Sequence, residues 1–311
     1  MSAPRRNIPP RHPNVSGGFR RGGDYSQDPD RLWMRLYIQS ADEDVERLRG
    51  YRPGGYNPIH LDNELNEGRY RVIHKLGHGT YATVWLCLDQ NANEPSYVAI
   101  KIFRASQGED DRELVMAAKL KEEGLGAMQH LCLPTNQFTN QSPSGMHICL
   151  VYPMLGPPVH TAASIFHREE SKTRNLQTIS AHMVKALAAL HSRGICHGDF
   201  HPRNILLALN GLDGLDEKGV LSLLGEPEIA EVCIRKDSRP TPEIPYAPKY
   251  LVYPAALEDV ASAAISAHAQ AIDFGQSFDN SLGPPESLGI PVNYAAPEVI
   301  LDGLGSMEMD L

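Results

Sequence analysis

The spacing of apolar residues changes character along the chain. Tyr70-Arg71-Val72-Ile73-His74-Lys75-Leu76 and Leu86-Cys87-Leu88 predict strands. Val98-Ala99-Ile100-Lys101 and His147-Ile148-Cys149-Leu150-Val151-Tyr152 have the near-continuous apolar character of buried strands. Between them, Asp111 to Leu120 is predicted as a helix. A longer helix follows from Leu176, Ile179, Met183, Val184, Leu187 and Leu190, which recur at helical spacing, with Gly194 at its end. Further on, Ile205 to Leu209 and Ala269 to Ile272 read as strands, and Asp216 to Leu224 as a short helix stopped by Gly225. Arg239 to Pro254, with five prolines, reads as extended, and Leu257 to His268 as a helix. Upstream, one apolar stripe of Trp33, Leu36 and Tyr37 predicts a short helix within Asp28 to Leu48. Residues 1 to about 30 are rich in Pro, Gly and Arg, a composition that does not support a packed core.

Composition narrows the class. With 311 residues, 41 % apolar and 22 % charged, the chain has the make-up of a globular protein of one large or two ordinary domains. A net charge of −9 argues against general nucleic-acid binding and is compatible with basic partners. The five cysteines, Cys87, Cys132, Cys149, Cys196 and Cys233, form no C-x-x-C pair and are odd in number. Reduced core thiols in a reducing compartment, cytoplasmic or nuclear, are expected. No apolar run reaches the 18 or so residues of a membrane span, and no secretory signal is read. Five early arginines resemble a mitochondrial leader, but Pro9, Pro10, Pro13, Gly17 and Gly18 spoil an amphipathic helix there.

Chemistry concentrates in His197-Gly198-Asp199-Phe200-His201-Pro202-Arg203-Asn204 and Asp273-Phe274-Gly275, which read H-x-D-x-x-x-x-N and D-F-G. Taken alone, an Asp and an Asn in this spacing suit an ordinary turn. Upstream motifs tip the balance: Gly77-His78-Gly79-Thr80-Tyr81-Ala82 between two strands, then Val98-Ala99-Ile100-Lys101. Downstream, Ala296-Pro297-Glu298 closes the series. These five motifs, in this order over residues 69 to 298, resemble the eukaryotic protein kinases. In finer detail the chain resembles the fungal serine/arginine-rich-protein kinases. Gly50-Tyr51-Arg52-Pro53-Gly54-Gly55-Tyr56-Asn57-Pro58 is similar to their lead-in, Arg69 to Gly77 and Thr83 to Leu86 to their N-lobe signature, and Leu224 to Glu228 and Ala247 to Tyr250 to pieces of their insertion.

The resemblance implies an α+β, two-lobed kinase fold using ATP and magnesium to phosphorylate serine in basic arginine/serine-rich proteins. Asp199 is then the catalytic base, and Asn204 and Asp273 hold magnesium. Lys101 grips the α- and β-phosphates with Glu113 as its anionic partner. Leu76, Gly77, Gly79, Val84, Ala99, Tyr152 and Leu155 line the nucleotide site, with Val84 over the adenine, Tyr152 at the back of the pocket and Leu155 offering backbone hydrogen bonds. The pattern departs from the family in three places within the motifs. Ala82 stands for the third loop glycine, Gly198 for the arginine of H-R-D, and His201 for the lysine that neutralises the transferred phosphoryl group. The loop H-G-D-F-H-P-R-N is closer to the H-G-D-x-H-P-x-N of aminoglycoside and choline phosphotransferases, so a small-molecule phosphotransferase stays open, as does a truncated or non-catalytic kinase-like binding protein. The expected organisation is an unordered extension over 1–49, a lead-in and N-lobe over 50–155, and a C-lobe over 156–311 with an insertion at about 210–268. Only 13 residues follow Glu298, so this C-lobe is expected to be incomplete.

Overall fold

The computed structural model describes residues 36–38, 44–105, 112–166, 169–212, 214–234, 244–283, 295–302 and 305–311. Its elements in order are β1 (Leu36–Ile38), β2 (Glu64–Leu65), β3 (Tyr70–His78), β4 (Ala82–Asp89), β5 (Tyr97–Phe103), α1 (Arg112–Glu122), β6 (Asn136–Ser142), β7 (Gly145–Pro153), α2 (Ala162–Ile165), α3 (Glu169–His191) and β8 (Ile195–Cys196). They continue with β9 (Ile205–Leu209), α4 (Glu217–Leu224), β10 (Ile229–Ile234), β11 (Tyr250–Val252), β12 (Ile265–Ala271), β13 (Phe278–Asp279) and α5 (Pro297–Asp302).

The first lobe is an antiparallel six-stranded sheet in the order β2-β3-β4-β5-β7-β6. Side chains alternate between its faces. One face buries Tyr70, Val72, Trp85, Cys87, Ile100, Ile102, Cys149 and Val151 in a single core, two positions apart on each strand. Strict alternation turns the intervening Val84, Ala99, Lys101 and Tyr152 to the opposite face. Register lines them up there, because Val84 pairs with Lys101 and Ala99 with Tyr152. The sheet core thus dictates which residues can face a cleft.

In the second lobe, α3 lies along the β9–β12 ribbon and buries Ile179 and Met183 in the cluster that holds Ile205, Leu207 and Ala269. Ala186 and Leu190 join a second cluster with Met116, Leu120 and Phe274. These clusters join the lobes, since α1 packs through Met116 and Leu120 into the same core as Phe274.

Three expectations are corrected, and one strand went unread. Residues 36–38, expected within a helix and an unordered extension, form β1, paired antiparallel with β10; Trp33 lies outside the described residues. The helix expected over Leu257 to His268 is two short 3-10 turns, Leu257–Asp259 and Ser262–Ala264, followed by β12. The alanine-rich run has high helix propensity, but pairing with β9 and burial of Ile265, Ala269 and Ala271 override it. The insertion does not pack on the larger lobe alone. Its α4 does, through Val220 and Leu224, but β10 and β11 form a sheet with β1, and Leu251 packs on Val45, Tyr51 and Tyr56 of the lead-in. Finally, β6, the polar edge strand Asn136–Ser142, went unread because its alternation lacks an apolar face. Cys87, Cys132, Cys149 and Cys196 are buried free thiols and Cys233 is half-buried, as expected for core cysteines. Among the described residues, no helix is long and apolar enough to cross a membrane.

Candidate active site

Lys101 leaves the cleft face of β5 and meets Glu113 from the first turn of α1. Its Nζ donates to Glu113 Oε2 at 2.5 Å and to Asp273 Oδ1 at 3.0 Å. Burial works against the lysine charge, but the Glu113 and Asp273 carboxylates outweigh it and hold its pKa above the usual lysine range. For Glu113, burial dominates and pushes the carboxyl up, with Lys101 pulling the other way. Asp273 resists its own burial because Lys101 stands beside it, and its pKa falls below the usual range. Tyr152, expected at the back of the adenine pocket, donates its hydroxyl to Glu113 Oε1 at 2.5 Å and so fixes the carboxylate that orients the lysine.

Asp273 sits at φ +64°, a left-handed conformation uncommon for a non-glycine residue. Such strain persists only where neighbours impose it. Here Phe274, 1 % exposed, is locked in the inter-lobe core on one side. On the other, Ile272 N–H bonds to Asn204 O. Strand β12 and this core deliver the Asp273 carboxylate into the cleft, 42 % exposed.

The loop after β8 carries the second half of the site. His197 is fully buried; its Nε2–H donates to Ile272 O at 3.1 Å, and its ring tilts against Phe200 and Phe274. Burial pushes its pKa down, so the ring is neutral and Nδ1 accepts the Asp199 N–H at 3.4 Å. Asn204 Nδ2 donates to Asp199 O at 2.9 Å and to Asp199 Oδ2 at 3.0 Å, leaving its amide oxygen for a cation. Asp199 Oδ1 is buried with no hydrogen-bond partner and lies 3.5 Å from His201 Nε2. Burial pushes the Asp199 carboxyl up, against the pull of His201 and Asn204. His201 also holds the loop itself: its Nδ1 accepts the Arg203 N–H at 3.1 Å and caps the Pro202–Asn204 turn.

The glycine at 198 has a steric cause. Its φ is +79°, and a Cβ there would sit 2.3 Å from Gln276 O. No side chain, arginine included, fits without moving that carbonyl. Gly77 and Gly79 show the opposite: a Cβ on either would meet nothing within 4 Å, so the loop is open on that side. Leu76 packs at the edge of the larger apolar cluster, and Leu155 is buried just beyond β7.

Three supports of the site were not assigned that role from the sequence. Asp310 accepts from His197 N–H at 2.7 Å, from Gly198 N–H at 2.9 Å and lies 3.0 Å from His191 Nε2. Over a hundred residues separate it from that loop. Tyr56 of the lead-in donates its hydroxyl to Gly79 O at 2.7 Å and steadies the glycine loop. Glu46 pairs with the fully buried Lys75 of β3 and accepts from Tyr51 Oη. Glu298, in α5, is described, but Asn293 and Tyr294 before it lie outside the described residues.

The donor set fits magnesium and a nucleotide triphosphate. One carboxylate and one amide oxygen are hard ligands for Mg²⁺. An open glycine loop and a charged lysine suit phosphate oxygens.

Comparison with known proteins agrees with this geometry. Residues 70–215 match the protein kinase domain. Serine/threonine-protein kinase SKY1 of Saccharomyces cerevisiae is 31 % identical over 189 residues, which cover 57 % of this chain and 25 % of that protein. Protein kinase dsk1 of Schizosaccharomyces pombe is 28 % identical, covering 56 % and 32 %. SRSF protein kinase 3 of Homo sapiens is 27 % identical, covering 55 % and 31 %. The chain thus spans between a quarter and a third of the length of these relatives. A crystal structure of a kinase domain superposes with a TM-score of 0.50 at 21 % identity, covering 82 % of this chain and 64 % of that one, and shows the fold. Residues 70–215 of the chain thus match the protein kinase domain, its two-lobed α+β fold is that of a kinase domain, and SRPK-type serine/threonine kinases stand among its relatives.

Proposed function

We propose that the protein is an ATP- and magnesium-dependent serine/threonine kinase that phosphorylates serine in basic, arginine/serine-rich proteins. The observation that carries this reading is the Lys101–Glu113–Asp273 constellation, closed at 2.5 and 3.0 Å and facing the Asp199–Asn204 loop. A decayed, purely binding site has no need to hold three mutually dependent charges in the cleft. The substrate class rests on the kinship with SRPK-type kinases and on the net charge of −9, which suits a basic partner. The free thiols suit a reducing compartment, cytoplasmic or nuclear.

Bound Mg²⁺ would supply charge neutralisation across the phosphates. The chain's own groups do the rest. Lys101, kept charged and aimed by Glu113, holds phosphate oxygens in place. Asp273 and the Asn204 amide oxygen would hold the cation. Asp199 Oδ1, which has no hydrogen bond and stands 3.5 Å from His201 Nε2, takes the hydrogen bond of the attacking hydroxyl and then its proton. Its raised pKa brings its basicity closer to working pH. His197 and Asp310 keep the loop backbone from yielding.

The test is incubation of the purified chain with labelled ATP, magnesium, an arginine/serine-repeat peptide and a panel of amino-alcohols. Label on peptide serine is expected, and Asp199→Asn and Asp273→Asn should each lower turnover by roughly 10²–10⁴-fold. Label on an amino-alcohol alone, or unchanged transfer by either variant, would overturn the reading.

A further inference from the structure

Outside the cleft, three histidines converge from three separate elements. His130 lies in the connection between α1 and β6, His182 on α3 and His268 on β12. Their ring centroids are 4.3 Å apart for His130–His182, 4.9 Å for His182–His268 and 5.3 Å for His130–His268. One ring nitrogen from each lies within 4.8 Å of the other two. Such a triad has no packing motive: apolar rings would fill the same space without bringing imidazole nitrogens together.

The hydrogen bonds point the same way. His130 is 9 % exposed, and its Nδ1 is buried with no hydrogen-bond partner. A buried acceptor or donor left unpaired is costly and calls for a compensating group. His268 Nε2 lies 2.7 Å from Gln129 O and donates to it, which leaves the Nδ1 lone pair free. A ring N–H anchored on a backbone carbonyl is the usual outer support of a metal-bound histidine. His182 Nδ1 receives a long bond of 3.3 Å from Ala269 N–H, and its ring also faces the Ala267 backbone. The backbone is shaped for the meeting too. His268 sits in the register irregularity of β12 between Ser266 and Ala269, and bulges re-aim side chains. His130 and His182 stand nearest each other, their rings stacked. Lys185, near both, is the one charge identified there that opposes a cation.

We propose that His130, His182 and His268 form a three-nitrogen site for a Zn²⁺-class divalent transition metal. Imidazole donors suit Zn²⁺, Co²⁺ or Cu²⁺ and not the Mg²⁺ of the cleft. Three histidines leave a fourth position for water. Zn–N bonds of about 2.0–2.1 Å set tetrahedral nitrogens roughly 3.3 Å apart, so the triangle contracts by ring rotation and the stacked pair splays. The metal would clamp the segment after α1, which bears Glu113, to β12, which runs into Asp273. That segment already bonds to β12 through Ala271 N–H to His130 O and Cys132 N–H to Ala271 O, both 2.9 Å.

The experiment is titration of the chelator-stripped 311-residue chain with zinc chloride in excess magnesium, followed by calorimetry, thermal melting and histidine ring ¹⁵N spectra. Expected are one zinc per chain, a melting point higher by several degrees at saturation, and shifts of three histidine rings. Cobalt in place of zinc should give tetrahedral visible bands with no thiolate charge-transfer band. His130→Gln, His182→Gln and His268→Gln should each abolish stoichiometric uptake, whereas Asp273→Asn should keep it. The ring spectra of the unmutated chain read the ligands even if a variant fails to fold. No stoichiometric uptake, a thiolate band, ring signals that zinc leaves unmoved, or uptake lost in Asp273→Asn and retained in the histidine variants would each overturn the proposal. Phosphotransfer enters none of these readouts, so failure here and failure of the kinase reading are distinct.

Discussion

Replacing Asp310 tests how the catalytic loop is held. Its buried carboxylate accepts from the backbone N–H of His197 and of Gly198 at 2.7 and 2.9 Å. Asp310→Ala would leave two buried donors unpaired. At about 1–3 kcal/mol for each orphaned group, the cost is about 2–6 kcal/mol. Total domain stability is about 5–15 kcal/mol, so this is a large fraction. Asp310→Asn keeps the shape and one acceptor oxygen but turns an amide NH₂ toward the other donor, and about half that cost is expected, about 1–3 kcal/mol. The alanine variant should then melt lower by on the order of 10 °C, with the asparagine variant between it and the parent. Because local opening exposes the amides first, hydrogen exchange at His197 and Gly198 should accelerate in the same order. An alanine variant that melts within about 1 °C of the parent would refute the reasoning, given the several degrees expected per lost bond. Unchanged exchange at those two amides would do the same.

Two further outcomes follow from single contacts. Gly198→Ala meets both a left-handed backbone and the Gln276 carbonyl 2.3 Å from the new Cβ, so a loss of about 1–2 kcal/mol from the backbone alone, plus the displaced carbonyl, is expected in denaturant melts; a variant as stable as the parent would show that the loop is not so constrained. Asp279, bonded to Lys119 of α1, has its pKa held down to about 2, below the ordinary 3.8. A depressed carboxyl contributes stability that is fully present above its unfolded value and lost as pH falls through the folded one, so this contribution should vanish between about pH 4 and 2. Lys119→Met should return the Asp279 carboxyl toward 3.8 in a carbon-detected titration, and an unmoved midpoint would break the assignment.

The chain's local patterns determined much of this protein. Period-two apolar spacing in Tyr70, Val72, Trp85, Cys87, Ile100 and Ile102 settles which face of the sheet is core. By exclusion it settles that Val84, Ala99, Lys101 and Tyr152 share the other face. Loop chemistry is equally local: Asp199 and Asn204 lie five positions apart on one turn, and their mutual hydrogen bond needs only that turn. Helices α1, α3 and α4 were legible because capping and periodicity act within a few residues. Tertiary structure decided what depends on distant pairing. An alanine-rich run became β12 because β9 offered a partner, and a stretch read as helical yielded β1 because β10 did. Asp310 under the catalytic loop, Tyr56 on the glycine loop and the meeting of His130, His182 and His268 join residues 23 to 138 positions apart in sequence. No periodicity records such contacts, because their energy comes from burial and hydrogen bonding that exist only once the elements have docked.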